Sequence, residues 1–288
     1  MAEPIRKENL LVHLQQLVGD RNAFTHLRQL RKAGEYITNY FRSYSYNTRT
    51  EPVRFFLRRY DNIVAEPPDS DPSSPLLIIG AHYDSVPGSP GADDNASGVA
   101  TLLEIARVVV AGLSACPFRL QFVAFTLEEE NMFGSSHYAR TLAKQRAAIV
   151  SMVSLEMVGF KSDAPGSQQL PPGYEHLYPH TGSFIGVIGN ERSRALLETF
   201  VKAMKTVEGL PVESLAVPGN GEALPPVRLS DHSPFWDLGY PALMITDTSW
   251  FRNPHYHRPT DTIETLDLDF MARVAQGVVR AVQTLAGL

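Results

Sequence analysis

One stretch, residues 80–98, constrains the fold of this chain more than any other. The apolar run 76–81 leads directly to His82 and Asp84, and a loop rich in Gly and Pro then leads to Asp93 and Asp94, just before a predicted helix over 96–112. Side chains alternate along a strand, so His82 and Asp84 face the same way. A strand, a loop and a helix in this order place polar side chains at the carboxyl edge of a parallel sheet, where open α/β sheets bind their ligands.

Adjacent acids before a helix have a simpler explanation, which is that one of them caps the helix. However, Asp93 and Asp94 repel each other if they point to one place, and a cation would remove that cost. The stretch therefore predicts an α/β protein with a metal site at the end of a buried strand.

Composition narrows the class of protein. The chain has 288 residues, of which 43% are hydrophobic and 20% charged, with a net charge of −5. It has no long basic run, so we expect neither a nucleic-acid partner nor a membrane partner. The single cysteine, Cys116, excludes an intrachain disulfide and a thiolate metal site. The amino-terminal residues lack the apolar core of a signal peptide, which favours a cytoplasmic protein and leaves secretion open.

Predicted strands and helices alternate to the end of the chain, so we expect one domain over residues 1–288. Two amphipathic helices within residues 1–45 are expected to pack on the sheet. The segment 159–182 is long and rich in Gly, Pro, Ser and Gln. A loop of that length is usually functional, and we predict a flap over the site.

More acids and a second histidine occur where strands are predicted to end. Glu128 and Glu129 follow one apolar strand, and Glu156 lies near the end of the next. Unpaired carboxylates there are costly to desolvate, although an exposed turn would also explain them. The candidates for metal binding and catalysis are His82, Asp93, Glu128, Glu129, Glu156 and His257. Histidines and carboxylates without sulfur suit zinc, and this set exceeds the needs of one ion, so we expect two divalent metals.

Six motifs between residues 80 and 262 together resemble a known family. They are, in order, His-x-Asp, Gly-Ala-Asp-Asp-Asn-Ala-Ser-Gly, Glu-Glu before Gly-Ser, Leu-Glu-Met-Val-Gly, Ser-Asp-His-x-x-Phe and His-x-Pro-x-Asp-Thr. This pattern is similar to that of the co-catalytic dizinc aminopeptidases, whose relatives include glutaminyl cyclases and some carboxypeptidases. The resemblance implies a three-layer α/β domain with a mixed, mostly parallel sheet flanked by helices. It also implies a zinc-dependent exopeptidase that hydrolyses the amino-terminal residue of peptides with a free amino terminus.

The resemblance also implies a role for each candidate. His82 and Glu156 would bind one metal, and Glu129 and His257 the other. Asp93 would bridge the two metals and would be followed by a cis peptide bond to Asp94. The general base would be Glu128, and the supporting residues around the metals would be Asp84, Asp94 and Asp231. His255 is the rival of His257, but the motif His-x-Pro-x-Asp-Thr fits His257 better.

The chain departs from the family at two places. Glu156 stands where the family more often has Asp, and no Tyr matches the residue that stabilises the oxyanion in some relatives, for which Tyr240, Tyr256 and Arg228 are possible substitutes. Aromatic side chains could line an apolar pocket for the first substrate residue, although ordinary loop packing would explain them equally well. These candidates are Phe160, Tyr240, Trp250, Phe251 and Tyr256.

Three other functions remain open from the sequence. A glutaminyl cyclase would share the fold and keep one zinc. A carboxypeptidase would need a cation for the substrate carboxylate, for which Arg228, Arg252 and Arg258 are available. A non-catalytic binding protein of this family would be expected to lose metal ligands, whereas here every expected position holds His, Asp or Glu.

Overall fold

An eight-stranded sheet forms the centre of the computed structural model, which describes residues 4–110 and 116–288. Its strands are β1 (Asn47–Phe55), β2 (Arg58–Glu66), β3 (Leu76–His82), β4 (Arg119–Phe125), β5 (Ile149–Glu156), β6 (Ile185–Asn190), β7 (Val212–Val217) and β8 (Ala242–Thr246). The order across the sheet is β1-β2-β4-β3-β5-β8-β6-β7. The central strands β4, β3, β5 and β8 are parallel, whereas β1–β2, β2–β4 and β6–β8 pair antiparallel. The predicted α/β class with a mixed, mostly parallel sheet is confirmed.

Helices cover both faces of the sheet. They are α1 (Lys7–Leu17), α2 (Leu27–Ser43), α3 (Gly98–Val110), α4 (Phe133–Lys144), α5 (Arg194–Met204), α6 (Ser233–Asp237) and α7 (Leu268–Leu285). Leu77 and Ile79 of β3 pack in the core with α1, α2, α3, α5 and α7, whereas Leu76 and Ile78 pack in the core with α4 and α6. A strand buried on both faces has no polar face, which is why residues 76–81 are continuously apolar.

Residues 1–3 of the predicted domain, and residues 111–112 of the predicted helix 96–112, lie outside the described residues. Strand β7 was not predicted, because its sequence, Val-Glu-Ser-Leu-Ala-Val, has no regular alternation and only its first and last residues are buried. No helix within residues 4–110 or 116–288 is long and apolar enough to cross a membrane.

The amino-terminal helices bury a titratable group. His13 of α1 is 2% exposed, its Nδ1 lies 2.7 Å from the Tyr36 hydroxyl, and its ring packs edge-on against Tyr40. Burial disfavours the imidazolium form and lowers the pKa of His13 to about 4 from an ordinary value of 6.5. The folded chain thus keeps His13 neutral at pH values where the unfolded chain binds a proton.

This shift predicts how stability depends on pH. Because the folded-state pKa lies below the unfolded one, the contribution of His13 is complete above about pH 6.5 and is lost as the pH falls towards 4. Between pH 7.5 and pH 5 the loss should be about 2 kcal/mol in the free energy of unfolding. Urea unfolding of the wild type and of His13→Gln at both pH values measures it. The variant should lose less stability on acidification by about that amount, and equal losses in both proteins would contradict the assignment.

Candidate metal centre

Asp94 lies between the two candidate histidines. Its Oδ1 is 3.3 Å from Nε2 of His82 and its Oδ2 is 3.0 Å from Nε2 of His257. Asp94 and His82 are buried, whereas the His257 side chain is 36% exposed. A carboxylate that presents one oxygen to each of two histidines has the arrangement needed to bridge two cations.

Asp93 does not occupy this position, which contradicts its prediction as the bridging residue. Its Oδ1 accepts a hydrogen bond from the Gly159 amide at 2.9 Å, and its Oδ2 accepts one from the Asn253 side chain at 2.6 Å. The cis peptide bond is likewise one residue later than predicted, between Asp94 and Asn95. The two aspartates belong to an irregular helical turn, Ala92–Ser97, in which neighbouring side chains diverge, so Asp94 and not Asp93 reaches the two histidines.

The structure brings the other candidate acids to the same place. Glu129 Oε2 is 3.4 Å from Nε2 of His257, and Glu156 Oε2 is 3.6 Å from Nε2 of His82. Glu128 Oε2 is 3.8 Å from the same His82 nitrogen. His82 ends β3, Glu128 and Glu129 follow β4, and Glu156 ends β5. These three strands are adjacent and parallel, so their carboxyl ends meet at one edge of the sheet.

The chemistry of this cluster fits a metal ion. His82, Asp94 and Glu129 each offer a ligand atom, and these atoms all lie within 4.8 Å of one another. Both ring nitrogens of His82 and Oε1 of Glu129 are buried without a well-formed hydrogen bond. Buried polar atoms are normally hydrogen-bonded, so atoms left in this state at a point of convergence are suited to coordinating a cation.

Protons balance the negative charge of the cluster when no cation does so. Burial disfavours the charged forms of His82 and His257, but the surrounding carboxylates outweigh it, so that the pKa of His82 rises well above its usual range and that of His257 rises to about 10. Burial also raises the pKa of Glu129 to about 7 and that of Glu128 well above its usual range. A divalent cation would take the place of these protons, because metal ligands bind in their deprotonated forms.

Side chains that accept backbone amides hold the loops in this arrangement. Asp84 accepts the amides of Glu128 and Glu129 at 3.2 and 3.3 Å, and its Oδ1 lies 3.7 Å from Nδ1 of His82. It therefore ties the end of β3 to the loop after β4. Asp261, from the His-x-Pro-x-Asp-Thr motif, accepts the amides of Asp93 and Asp94 at 2.8 and 3.2 Å.

Glu156 is fixed by contacts on both sides. The Asn95 side chain donates to the Leu155 carbonyl at 2.8 Å and accepts from the Met157 amide at 3.1 Å. The Ser230 hydroxyl donates to Oε2 of Glu156 at 2.7 Å. Next to Ser230, Asp231 is buried close to this cluster, and burial raises its pKa to about 7. The Ser-Asp-His motif thus lies beside Glu156, and the supporting role of Asp231 stays a prediction.

Arg21 is a supporting residue that the sequence did not indicate. Its buried guanidinium donates to five backbone carbonyls, those of Leu17, Gly19, Tyr83, Pro90 and Gly91. Residues 83–91 form the loop that joins the strand of His82 to the turn of Asp94, so one side chain holds both ends of this loop. Carbonyl acceptors are present at every residue, so no motif signals such a contact.

A cavity of about 240 Å³ opens from the cluster and includes some of the predicted pocket residues. Trp250, Phe251 and Tyr256 line it, and the Tyr256 ring stacks on His257 with their centroids 3.7 Å apart. Two predictions are wrong. Phe160 packs against the ring of His255, and Tyr240 packs against Phe235 in the core formed with α4 and α6.

The predicted flap, residues 159–182, contributes one wall of this cavity through Gln168, Gln169, Leu170 and Pro171. Arg252 holds this wall in place. Its Nε donates to Gln168 Oε1 at 2.9 Å, and its Nη1 donates to the Phe184 carbonyl at 2.7 Å. The Gln169 amide also donates to the Phe251 carbonyl at 2.7 Å.

The signature of Peptidase family M28 matches residues 62–282, which span every element of the cluster described above. The chain belongs to peptidase family M28. It is 37% identical to the uncharacterized protein YfbL of Escherichia coli over 96% of this chain and 87% of YfbL. The M28 assignment confirms the resemblance seen in the sequence motifs, since this is a family of metal-dependent peptidases.

Two further relatives of this M28 chain are named aminopeptidases. The chain is 29% identical to aminopeptidase YwaD of Bacillus subtilis over 72% of its own length, but spans only 40% of YwaD. The LapA aminopeptidase of Legionella pneumophila superposes with a TM-score of 0.78 at 22% identity, covering 99% of this chain and 72% of LapA. At that identity the superposition shows a shared fold.

The geometry of this M28 site predicts which histidine retains metal. Nε2 of His257 points at Asp94 and Glu129, whereas Nδ1 of His255 is 3.0 Å from the Thr260 hydroxyl. His257→Ala should therefore lose about one equivalent of metal per chain, and His255→Ala should lose none. Elemental analysis after gel filtration in metal-free buffer measures both. Equal metal loss in the two variants would contradict the placement of His257.

Proposed function

We propose that this chain is a zinc-dependent aminopeptidase that removes amino-terminal residues with apolar side chains. The observation that supports this most strongly is the position of Asp94 between His82 and His257, with Glu128 beside them and an apolar cavity opening from the same point. The name of its M28 relative YwaD, an aminopeptidase, agrees with this proposal.

Five side chains would hold two metals. His82 and Glu156 would bind one, His257 and Glu129 the other, and Asp94 both, as their separations of 3.0–3.6 Å allow. When bound, the two cations would polarise the scissile carbonyl and lower the pKa of water. Such a donor set exceeds what a single zinc requires, which favours a hydrolase over a cyclase with one zinc.

Glu128 would transfer the protons. Burial and the neighbouring acids Glu156 and Glu129 raise its pKa well above the usual range for a carboxyl group, although His82 works against this. A carboxylate beside the proposed ligands is placed to accept the proton of the attacking water and return it to the leaving amine. Its backbone amide is held by Asp84, which limits how far it can move.

The charge of the cavity favours an amino terminus over a carboxyl terminus. Asp94, Glu128, Glu129 and Glu156 line it together with Glu213, and none of the lining residues among those described is Lys or Arg. Two of the arginines considered for a carboxypeptidase are engaged elsewhere, Arg228 with Asp237 and Arg252 with Gln168. The third, Arg258, is exposed and does not line the cavity. Once Asp94, Glu129 and Glu156 hold cations, Glu128 and Glu213 would remain as acids near a substrate ammonium, whereas a substrate carboxylate would find no Lys or Arg among the described lining residues.

Glu128→Gln tests the proposed base. The variant should keep its metal content, because Glu128 is not among the five proposed ligands, while kcat falls at least about 100-fold. Glu130→Gln is the matched control, since Glu130 lies two residues further along the chain and does not line the cavity. Full turnover by Glu128→Gln, measured on a leucyl chromogenic substrate, would remove Glu128 from this role.

A substrate panel tests the reaction itself. Leucyl, phenylalanyl, glutamyl and glutaminyl substrates should be compared with N-acetyl-leucyl and carboxypeptidase substrates, with and without a chelator. We expect the apolar unblocked substrates to be cleaved fastest, because the cavity walls are apolar and its charges are negative. The N-acetyl substrate should resist cleavage and the chelator should abolish activity. Release of ammonia from the glutaminyl peptide without cleavage would instead identify a cyclase.

A further inference from the structure

The tip of the β1–β2 hairpin exposes two large apolar side chains. Phe55 pairs with Arg58, so Phe56 and Leu57 form a two-residue turn. Their exposed fractions are 83% and 103%, the highest among the large hydrophobic side chains in the described part of the chain. Phe56 has φ 50°, in the left-handed region. Two-residue hairpins favour Gly, Asn or Asp at such positions, so neither backbone preference nor burial explains this sequence.

Basic residues surround this tip. Arg54, Arg58 and Arg59 flank it on the hairpin and are all exposed. The start of α2 lies next to it, since the Phe24 ring is 6.0 Å from that of Phe55 and Arg58 Nη1 is 3.5 Å from the Phe24 carbonyl. We call residues 24–32 and 54–59 the basic hairpin surface.

The basic hairpin surface has the opposite charge to the rest of the chain. It contains six Lys or Arg residues and no Asp or Glu, so all 31 acids lie outside it and give the remaining residues a net charge of −11. The cations on α2 are Arg28, Arg31 and Lys32, all exposed, and Arg31 lines a shallow groove together with Arg59. Three acids lie at its margin: Asp61 pairs with Arg59 at 2.8 Å, Asp20 Oδ2 is 3.0 Å from Nδ1 of His26, and Glu35 lines the same groove.

We propose that the basic hairpin surface docks this protein on an anionic lipid bilayer, with Phe56 and Leu57 inserted among the headgroups. Cations near an anionic bilayer and apolar side chains at its interface both favour binding. The expectation of no membrane partner rested on the net charge of −5 and on the lack of a long basic run. Neither registers cations that the fold brings together from two separate segments.

Other occupants fit less well. A two-fold contact between the tips of two copies would bring Arg54, Arg58 and Arg59 of both chains together, and like charges repel. The edge strand β1 carries Pro52 and exposed Arg49, features that discourage strand pairing between copies. A nucleic acid would satisfy the cations but offers no apolar site for Leu57.

Binding to sucrose-loaded vesicles tests the proposal with the full-length protein. We expect co-sedimentation with phosphatidylcholine vesicles that contain about one third phosphatidylglycerol, and none with phosphatidylcholine alone. The double variant Phe56→Ser with Leu57→Ser should lower the partition coefficient at least about tenfold. Leu177→Ser is its control, because Leu177 is 67% exposed on a different part of the molecule.

Two matched triple variants test the contribution of charge to vesicle binding. Arg28→Glu, Arg31→Glu and Arg58→Glu together should lower the partition coefficient at least about 100-fold. The same change at three exposed cations elsewhere, Lys144, Arg194 and Lys205, should lower it much less. Wild-type binding should also weaken as the salt concentration rises.

Insertion needs a separate readout, for which Leu57→Trp provides a probe. The added tryptophan fluorescence of this variant, relative to the wild type, should be quenched by lipids with brominated acyl chains. The reason is that the new indole would lie among the lipids. Equal binding to both vesicle types, or binding that the Phe56 and Leu57 variant leaves unchanged, would overturn the proposal. The proposal would also be overturned if the protein did not bind vesicles but instead self-associated, or bound an oligonucleotide, and the Phe56 and Leu57 variant abolished that binding.

Discussion

The structure depends on how one buried edge of the sheet accommodates its negative charge. Asp84, Asp94, Glu128, Glu129 and Glu156 converge there within a few ångströms of His82. Buried carboxylates are costly unless they are paired, so this arrangement needs positive charge. Two histidines and a set of backbone amides supply part of it, and bound metal ions would supply the rest. Metal binding and folding of these loops would therefore be coupled, because the same acids repel one another when no cation is present.

Side chains that accept hydrogen bonds from backbone amides connect the segments of this site. Each of them sits on one ligand-bearing segment and accepts a hydrogen bond from another. Asp84 joins the end of β3 to the loop after β4, Asn95 joins the turn of Asp94 to Met157 just after β5, and Asp261 joins the segment of His257 back to that turn. Asp93, both of whose carboxylate oxygens accept hydrogen bonds, connects the same turn to Gly159 and Asn253. An aspartate that looks like a ligand in the sequence is thus a link between ligand segments.

The limits of prediction from the sequence follow from the same geometry. Strand ends can be located from apolar runs, and parallel neighbours bring their ends together, so His82, Glu128, Glu129 and Glu156 could be grouped without coordinates. Asp93 and Asp94 could not be told apart, because in an irregular turn the side-chain direction depends on backbone angles that the sequence does not specify. Phe160 and Tyr240 were misplaced for a related reason, since aromatic identity does not reveal which surface a side chain faces. Arg21 has only carbonyl partners, which leave no trace in a sequence.

The net charge of the chain does not describe the charge of its individual surfaces, because the fold decides which side chains lie together. The proposed metal site needs acids to hold cations, whereas docking on the proposed anionic bilayer needs a surface of the opposite charge. The fold separates the two, because the proposed metal site lies at the carboxyl ends of β3, β4 and β5 while the basic hairpin surface belongs to α2 and the β1–β2 turn. Phe56 and Leu57 are exposed, so their chemistry is set neither by the core nor by the metal site. A net charge of −5 sums these two regions and describes neither of them.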